Sequence, residues 1–274
     1  MEKKEKAEYI PNVGSLFSSQ RTRDEERSEL VKKISIKDID NFPNHPFKVK
    51  VSEEDEIVQS IKDVGVTTPI LVKPKENGRY ELISGHRRKM ASELLGIDTI
   101  PCIIRELSDD EATIMMVDSN YQRERILPSE KAFAYKLKMD ALNNKGKRTD
   151  LTLSQVDTRL DNAKDIGKEF NDSRAKVFRY IRLTELIPEI LAMVDNDALK
   201  LSPSMAISPA HEISFLTKDE QKTLLDFMQC YDCTPSHAQA IDLKNHSLNG
   251  TLTTDYMEEV MSEEKPNQIP RIGI

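Results

Sequence analysis

A five-residue segment, Ser84 to Arg88, places a glycine, a histidine and two arginines between a predicted strand and a predicted helix. Glycine lets the backbone approach a ligand closely, and the first turn of a helix presents unpaired N–H groups at the positive end of its dipole. Arg87 and Arg88 add charge-assisted hydrogen-bond donors. The segment is therefore typical of an anion site, although a solvated basic helix start has the same composition.

A second polar segment, Ser119 to Arg123 with the sequence SNYQR, lies at the predicted end of a helix, shortly before Pro128. Proline is favoured in the first turn of a helix, so Pro128 indicates that a new helix begins there. Taken alone, the SNYQR segment fits a polar helix terminus better than a ligand site.

The segment Ile166 to Leu183 has the spacing of a helix-turn-helix. Gly167 would let the second helix approach closely, Asn171 tolerates the left-handed conformation of the turn, and Val177 supplies a buried aliphatic side chain. We expect three apolar residues to form the core of this hairpin: Ile166, Phe170 and Ile181.

The predicted second helix of this hairpin, Ser173 to Leu183, carries four basic residues and no acidic ones. A helix of this composition can contact DNA phosphates and base edges. The candidate DNA-binding residues are Lys168, Ser173, Arg174, Lys176, Arg179 and Arg182. An ordinary helical hairpin with a basic exposed face is the alternative.

The composition of the 274 residues indicates a helix-rich protein of two or three compact units. Hydrophobic residues make up 38% and charged residues 32%, with 5% aromatic residues, which argues against a sandwich, a barrel or bulk disorder. No apolar run is long enough to span a bilayer, and the charged start MEKKEKAEYI is unlike a signal peptide, so we expect a cytoplasmic protein.

The net charge of −7 is concentrated near the C-terminus. Residues 211–274 contain 11 acidic and 5 basic residues, a net charge of −6, which leaves −1 for the residues before them. Because phosphate is attracted by a local basic patch, an acidic chain is compatible with a nucleic-acid-binding face.

Strand and helix patterns alternate over the first part of the chain and predict a small α/β unit. The first predicted strand ends at Ile36. The other three predicted strands cover Pro69 to Lys73, Arg79 to Ser84 and Ile100 to Arg105. The predicted helices run from after Ser52 to Gly65 and from His86 to Leu95.

Helical patterns fill the rest of the chain. A capping box at Ser108 and Glu111 begins one helix, and Pro128 begins another. The latter has three apolar residues on one face: Phe133, Leu137 and Leu142. The polar segment 143–152 predicts a hinge or an exposed loop, and Pro203 and Pro209 bracket a second loop. Further helices are expected to begin near Lys218, Thr234 and Thr253.

The cysteines and histidines give weaker indications of chemistry. Three cysteines are too few for a disulfide framework in a chain of this size. Cys230 and Cys233 form a C-x-x-C motif, but the nearby His237 and His246 lack the paired spacing of a zinc site. Free thiols are the expectation.

In their order and spacing, these segments resemble the ParB family of chromosome and plasmid partition proteins. The matching pieces are Gly65 to Pro74, Tyr80 to Leu107, Asn120 to Tyr135, and the helix-turn-helix with RYIRLTELIPEI at its end. The resemblance covers about Ile34 to Ala210. Agreement of separated motifs in one order is far more specific than one short match.

The resemblance implies an α+β protein. A small mixed α/β ParB/sulfiredoxin-like N-terminal domain would cover residues 34–107, followed by connecting helices at 108–142. An all-α helix-turn-helix domain would cover 143–210, and an acidic helical C-terminal segment 211–274. Residues 1–33 read as a flexible N-terminal tail.

The resemblance also implies that the α/β half binds CTP and that the helical half of a homodimer recognises a partition site on double-stranded DNA. CTP would promote closure into a clamp. The carried-over nucleotide-binding residues are Gly65, Pro69, Gly85, His86, Arg87, Arg88, Asn120 and Arg123, and Asn120 would also face Mg²⁺. A partition ATPase would contact the tail, which contains Arg21, Arg23 and Arg27.

Three departures from the family pattern shape these expectations. The usual G-E-R-R-x-R-A reads GHRRKMA from Gly85, and the early N-P-x-Q-P-R reads FPNHPF from Phe42. In E-N-x-Q-R, Ser119 replaces the Glu that is associated with hydrolysis. Since only Asp118 is near enough in sequence to substitute, we expect Mg²⁺-dependent CTP binding with slow or undetectable hydrolysis. The departures suggest a divergent plasmid or mobile-element type.

Three other functions are compatible with parts of this sequence. The α/β unit also resembles sulfiredoxin, but Gly85 occupies the place of its catalytic cysteine, and Cys102 lies in a predicted buried strand. A nucleotide-dependent enzyme, a ParB-like kinase or hydrolase, would leave the helix-turn-helix unexplained. A transcription regulator without a nucleotide switch is the third possibility.

Overall fold

The computed structural model describes residues 31–121, 125–149 and 155–262. Within these ranges the chain divides into two compact units. The first contains residues 31–40 and 51–106, and the second contains residues 41–50 and 107–262.

The first unit is a five-stranded mixed sheet with two helices, so the predicted α/β character is confirmed. The strands are β1 (Val31–Ser35), β2 (Ile39–Asp40), β3 (Ile70–Pro74), β4 (Tyr80–Ser84) and β5 (Thr99–Ile104). The helices are α1 (Glu56–Val64) and α2 (His86–Leu94). The strand order is β1-β5-β3-β4-β2. The β1–β5 and β3–β4 pairs are antiparallel, and the β3–β5 and β2–β4 pairs are parallel.

Short strands rich in β-branched residues build the core of this unit. Ile70, Val72 and Ile100 are fully buried and pack together with Leu82 and Cys102. Each such aliphatic side chain stabilises the fold by roughly 1.5–3 kcal/mol through burial. A second cluster joins the two helices through Val58, Ile61 and Ala91.

Over the residues described, helices are the regular secondary structure of the second unit, with loops and turns between them. Its helices are α3 (Asp109–Tyr121), α4 (Pro128–Thr149), α5 (Gln155–Glu169), α6 (Arg174–Leu183), α7 (Pro188–Leu199), α8 (Ile207–Ile213), α9 (Lys218–Cys230), α10 (His237–Leu248) and α11 (Thr254–Ser262). Helix α4 packs against α3, α5, α6 and α7 and is the centre of the unit.

Two predictions for α4 are wrong. The helix continues to Thr149, so it covers residues 143–149 of the predicted loop and crosses the predicted boundary at residue 142. One glycine costs a helix only about 1 kcal/mol, and the neighbouring lysines are good helix formers. Phe133 is 40% exposed, whereas Ala132, Tyr135 and Met139 are buried, so the core side of the helix differs from the predicted apolar face.

Other boundaries differ by a few residues. Strand β1 begins at Val31, inside the segment 1–33 that was expected to be a tail, and residues 1–30 lie outside the described residues. Helix α8 begins at Ile207 and includes Pro209, because proline is tolerated in the first turn of a helix. None of the described helices combines the length and the apolar character that crossing a bilayer would require.

Candidate nucleotide and DNA sites

In the first unit, β4 leads into α2 through Gly85, which has a φ of 106°. A Cβ atom at this position would lie 2.5 Å from Cγ2 and 2.9 Å from Cβ of Ile70. Both the backbone conformation and the contact with β3 therefore require glycine. As a result, the start of α2 lies against the start of β3.

Arg88 ties these two segments together. Its Nη1 donates hydrogen bonds to the backbone oxygens of Thr68, at 2.6 Å, and Pro69, at 2.5 Å. Burial lowers the pKa of the Arg88 guanidinium, since desolvation disfavours the charged form. The structure thus brings Pro69, Gly85 and Arg88 together, and it engages Arg88 with the protein backbone.

Arg87 is the exposed cation of the same turn. Its side chain is 51% exposed and lies 3.7 Å from a carboxylate oxygen of Asp55. The first turn of α2 contains no acidic residue, so its N–H groups and Arg87 present positive charge together. His86, beside it, is half-buried, and Gly65 ends α1 with a φ of 74°.

The SNYQR segment begins in the last turn of α3, in the second unit. The Asn120 side chain is 6% exposed, and its Nδ2 donates to the Met116 backbone oxygen at 2.8 Å. The Ser119 hydroxyl donates to the same oxygen at 3.0 Å. Arg123 lies outside the described residues.

Asp118 does not substitute for the glutamate that Ser119 replaces. Its carboxylate accepts a hydrogen bond from Lys138, which is 4% exposed and also lies 2.6 Å from Glu169. Burial is the main cause that raises the pKa of Asp118, while Lys138 opposes the shift. Asp118 is therefore engaged by Lys138, whereas Asn120 donates to its own helix through Nδ2 only, and the Oδ1 atom that a metal ion would use is not part of that bond.

The helix-turn-helix is formed by α5 and α6, as predicted. A Cβ at Gly167 would lie 2.5 Å from the Asp172 backbone oxygen, Asn171 adopts a φ of 54°, and Val177 is fully buried. Ser173 caps α6, since its Oγ accepts a hydrogen bond from the Lys176 backbone N–H. Ile166 and Phe170 belong to the core as predicted.

Two residues of α6 differ from expectation. Ile181 is only partly buried, and Tyr180 and Leu183 are the buried residues of this turn. Arg182 faces the protein: its Nη2 donates to the Ser214 backbone oxygen at 2.8 Å, and its guanidinium lies 4.2 Å from the Phe215 ring centroid. Arg182 is therefore a packing residue rather than an available DNA contact.

The remaining basic candidates are exposed but differ in their partners. Lys168 lies 3.8 Å from Asp165, and both side chains are mostly exposed. Lys176 forms an ion pair with Asp172 at 2.7 Å. Among the described residues, Arg174 and Arg179 have no ion-pair partner, so they are the cations of α6 most available to a ligand.

The sequence analysis did not identify Asp172, whose buried carboxylate contacts three side chains of this unit. Its carboxylate is 3% exposed and contacts Lys131 Nζ at 2.5 Å, Tyr135 OH at 2.6 Å and Lys176 Nζ at 2.7 Å. An acidic residue in the turn of an otherwise basic segment, with a Lys and a Tyr four residues apart on α4, is the signal that was available.

The Cys102 thiol is unsuited to thiolate chemistry. Cys102 is fully buried, and burial raises the pKa of its thiol to about 11, so the sulfiredoxin alternative has no thiolate here. Cys230 is exposed and Cys233 is partly exposed. Within the described ranges, no group of three His, Cys, Asp or Glu residues is placed to hold a metal ion.

Residues 20–121 match the family model described as the ParB N-terminal domain. The chain contains a ParB N-terminal domain. The "Probable chromosome-partitioning protein ParB" of Pseudomonas putida is 35% identical over 153 residues, covering 56% of this chain and 47% of the relative. The "Stage 0 sporulation protein J" of Bacillus subtilis is 33% identical over 174 residues, covering 63% of this chain and 55% of the relative.

The chain spans about half the length of these curated ParB relatives. Crystal structures of C-terminally truncated Caulobacter crescentus ParB are also similar. The complex with the centromeric parS site has 20% identity and a TM-score of 0.41, covering 84% of this chain and 98% of that one. The complex with CTP-gamma-S has 26% identity and a TM-score of 0.32, covering 68% and 92%.

Proposed function

We propose that the protein is a sequence-specific DNA-binding partition protein of the ParB type, which binds CTP and acts as a DNA-associated homodimer in the cytoplasm. The helix-turn-helix of the second unit carries this proposal, because its exposed basic helix follows a ParB N-terminal domain in the same chain. The replicon could be a chromosome, a plasmid or a mobile element.

The DNA contact is assigned to the exposed side of α6. Arg174 lies in the first turn of that helix and Arg179 lies further along it, and both side chains are exposed. A helix start presents N–H groups that suit phosphate, and guanidinium groups suit both phosphate and guanine. Arg182 is excluded from this set by its contacts with Ser214 and Phe215.

The DNA contact can be tested on a duplex selected from a randomised library by the wild-type protein. Gel shifts over a salt series would compare Arg174→Ala and Arg179→Ala with Lys222→Ala, an exposed basic residue of α9. A base contact should cost about 1–3 kcal/mol and relax the sequence preference, whereas a phosphate contact should mainly reduce the salt slope. Unchanged binding by both arginine variants would remove the helix-turn-helix from the proposal.

The CTP contact is assigned to the start of α2. Arg87 and the N–H groups of that turn would bind the phosphates, while Arg88 would shape the site by holding the Thr68 and Pro69 carbonyls. The resemblance assigns Gly65 and His86 to this contact as well, and Asn120 and Arg123 are separate nucleotide-binding candidates of the second unit. Asn120 stays the proposed Mg²⁺ ligand, through its Oδ1, so CTP binding in EDTA and in Mg²⁺ should be compared.

Calorimetry with CTP, ATP and GTP tests the nucleotide contact. Arg87→Ala should weaken CTP binding at least tenfold, and Lys62→Ala, an exposed cation of α1, should not. Phosphate release in the presence of DNA should be slow or undetectable, since Ser119 stands where hydrolysis would need an acid. Absence of binding to any nucleotide would favour a DNA-binding regulator, and brisk hydrolysis would contradict the Ser119 argument.

A partition ATPase is the further proposed partner. Arg21, Arg23 and Arg27 lie in the basic N-terminal segment, outside the described residues. Deleting residues 1–30 should abolish stimulation of the ATPase and leave DNA binding intact. Loss of both activities would argue against a dedicated contact in this segment.

A further inference from the structure

The turn of the helix-turn-helix contains a buried carboxylate with three donors. The Asp172 side chain is 3% exposed, and its oxygens contact Lys131, Tyr135 and Lys176 at 2.5, 2.6 and 2.7 Å. Its backbone N–H donates to the Gly167 oxygen at 2.7 Å, which closes the turn. The carboxylate is therefore satisfied by the protein from several directions.

The donors connect two different helices. Lys131 and Tyr135 lie on α4, the central helix of the unit, whereas Lys176 lies on α6. Lys131 is itself enclosed, with Nζ 5.0 Å from the Tyr180 ring centroid and 5.6 Å from that of Tyr121. Asp172 thus joins the basic helix to the core of the unit through one carboxylate.

Asp172 and Lys176 each stabilise the charged form of the other. Burial tends to raise the pKa of Asp172, but the hydrogen bonds from Lys131, Lys176 and Tyr135 outweigh it and lower the pKa. The carboxylate in turn raises the pKa of Lys176. The ion pair therefore stays charged at neutral pH.

We propose that Asp172 is a positioning residue for DNA recognition, which fixes α6 on α4 and holds Lys176 on the protein rather than on DNA phosphate. This inference rests on the proposed function. A buried carboxylate that lost one donor would be left poorly compensated, and an exposed phosphate contact would not offset that loss. Arg174 and Arg179 are then the cations of α6 that remain to contact DNA, and Lys176 is not.

The salt dependence of DNA binding separates these roles, because each phosphate contact contributes about 0.9 to the slope of log K against log salt. We would compare Lys176→Met with Arg179→Met on the selected duplex and on a duplex of unrelated sequence. On the unrelated duplex, where binding is to phosphate, we expect an unchanged slope for Lys176→Met and a slope reduced by about 0.9 for Arg179→Met. A slope reduced by about 0.9 for Lys176→Met would overturn the inference.

A second variant tests the carboxylate itself. Asp172→Asn should release Lys176, steepen the slope by about 0.9 on the unrelated duplex and reduce the preference for the selected one at least fivefold. Asp226→Asn, an exposed acidic residue of α9, is the charge-matched control and should leave the preference unchanged. If Asp172→Asn leaves both quantities unchanged, Asp172 is not a positioning residue.

The two proposals fail differently. If the wild-type protein binds neither duplex, the proposed function fails. If the wild-type protein binds DNA and Lys176→Met loses a phosphate contact, only the role of Asp172 fails. Should Asp172→Asn not fold, the comparison of Lys176→Met with Arg179→Met still decides the inference.

Discussion

The Tyr121 hydroxyl donates a hydrogen bond to the Phe170 backbone oxygen at 2.7 Å, and the two rings lie with their centroids 3.8 Å apart. Tyr121 is the last residue of α3 and follows Asn120, and Phe170 is the residue before the left-handed Asn171. The segment that resembles a nucleotide contact is therefore bonded directly to the turn of the helix-turn-helix.

Tyr121→Phe should lower the free energy of unfolding by about 0.5–1.5 kcal/mol, because it deletes one hydrogen bond and keeps the ring contact. Urea denaturation would measure this change in the free energy of unfolding. Tyr231→Phe is the matched control, since Tyr231 is 38% exposed and its hydroxyl bonds to an exposed Glu258. Its effect should stay within about 0.5 kcal/mol. Equal losses of unfolding free energy in the two variants would show that the Tyr121 hydrogen bond stabilises the fold no more than an exposed one does.

Gly85→Ala should destabilise the protein by about 3 kcal/mol or more, because backbone strain adds to a clash with Ile70. Gly78→Ala is the control. Its φ of 79° is also left-handed, but a Cβ there has open space around it, so about 1 kcal/mol is expected. Thermal unfolding would compare the stabilities of the two variants. Similar losses of stability would contradict the claim that a side chain at position 85 clashes with Ile70.

Arg182→Ala should lower the free energy of unfolding by about 1–2 kcal/mol, since it removes the bonds to Ser214 and the contact with Phe215. The salt slope of DNA binding should stay as in the wild type. Urea denaturation and gel shifts on one preparation would measure both. A reduced slope with unchanged stability would restore Arg182 as a DNA contact.

Asp40 should make stability depend on pH. The hydrogen bond from Arg79, and next that from Lys75, hold the pKa of Asp40 well below its usual range. Its contribution is therefore present above the unfolded-state pKa of about 3.9 and is lost as the pH falls further toward the folded-state pKa. Asp40→Asn and Arg79→Met should both flatten the fall in stability below about pH 4. If the stability of Asp40→Asn fell with pH as steeply as that of the wild type, Asp40 would not be the cause of the pH dependence.

Patterns with local causes could be predicted from the sequence. The β-branched runs at β3 and β5, the glycine between β4 and α2, and the Gly167 and Asn171 positions of the turn all act within a few residues. Their physical requirements are a backbone conformation or a close approach, and one residue type satisfies each.

Long-range partners could not be predicted in this way. Arg182 and Arg179 have the same side chain on the same helix, and only the position of Ser214 and Phe215 makes one a packing residue. Asp118 was expected to be available, but Lys138, twenty residues later, binds it. The helix through Gly146 is a different case, because one glycine costs a helix only about 1 kcal/mol and does not have to end it.

The central claim, that one protein binds DNA in response to CTP, is tested most directly by measuring affinity for the selected duplex with and without CTP. We expect CTP to change the DNA affinity at least fivefold, and DNA to change the CTP affinity by the same factor, because linkage is reciprocal. ATP and GTP should leave the DNA affinity unchanged. Identical DNA affinities with and without saturating CTP would contradict the account.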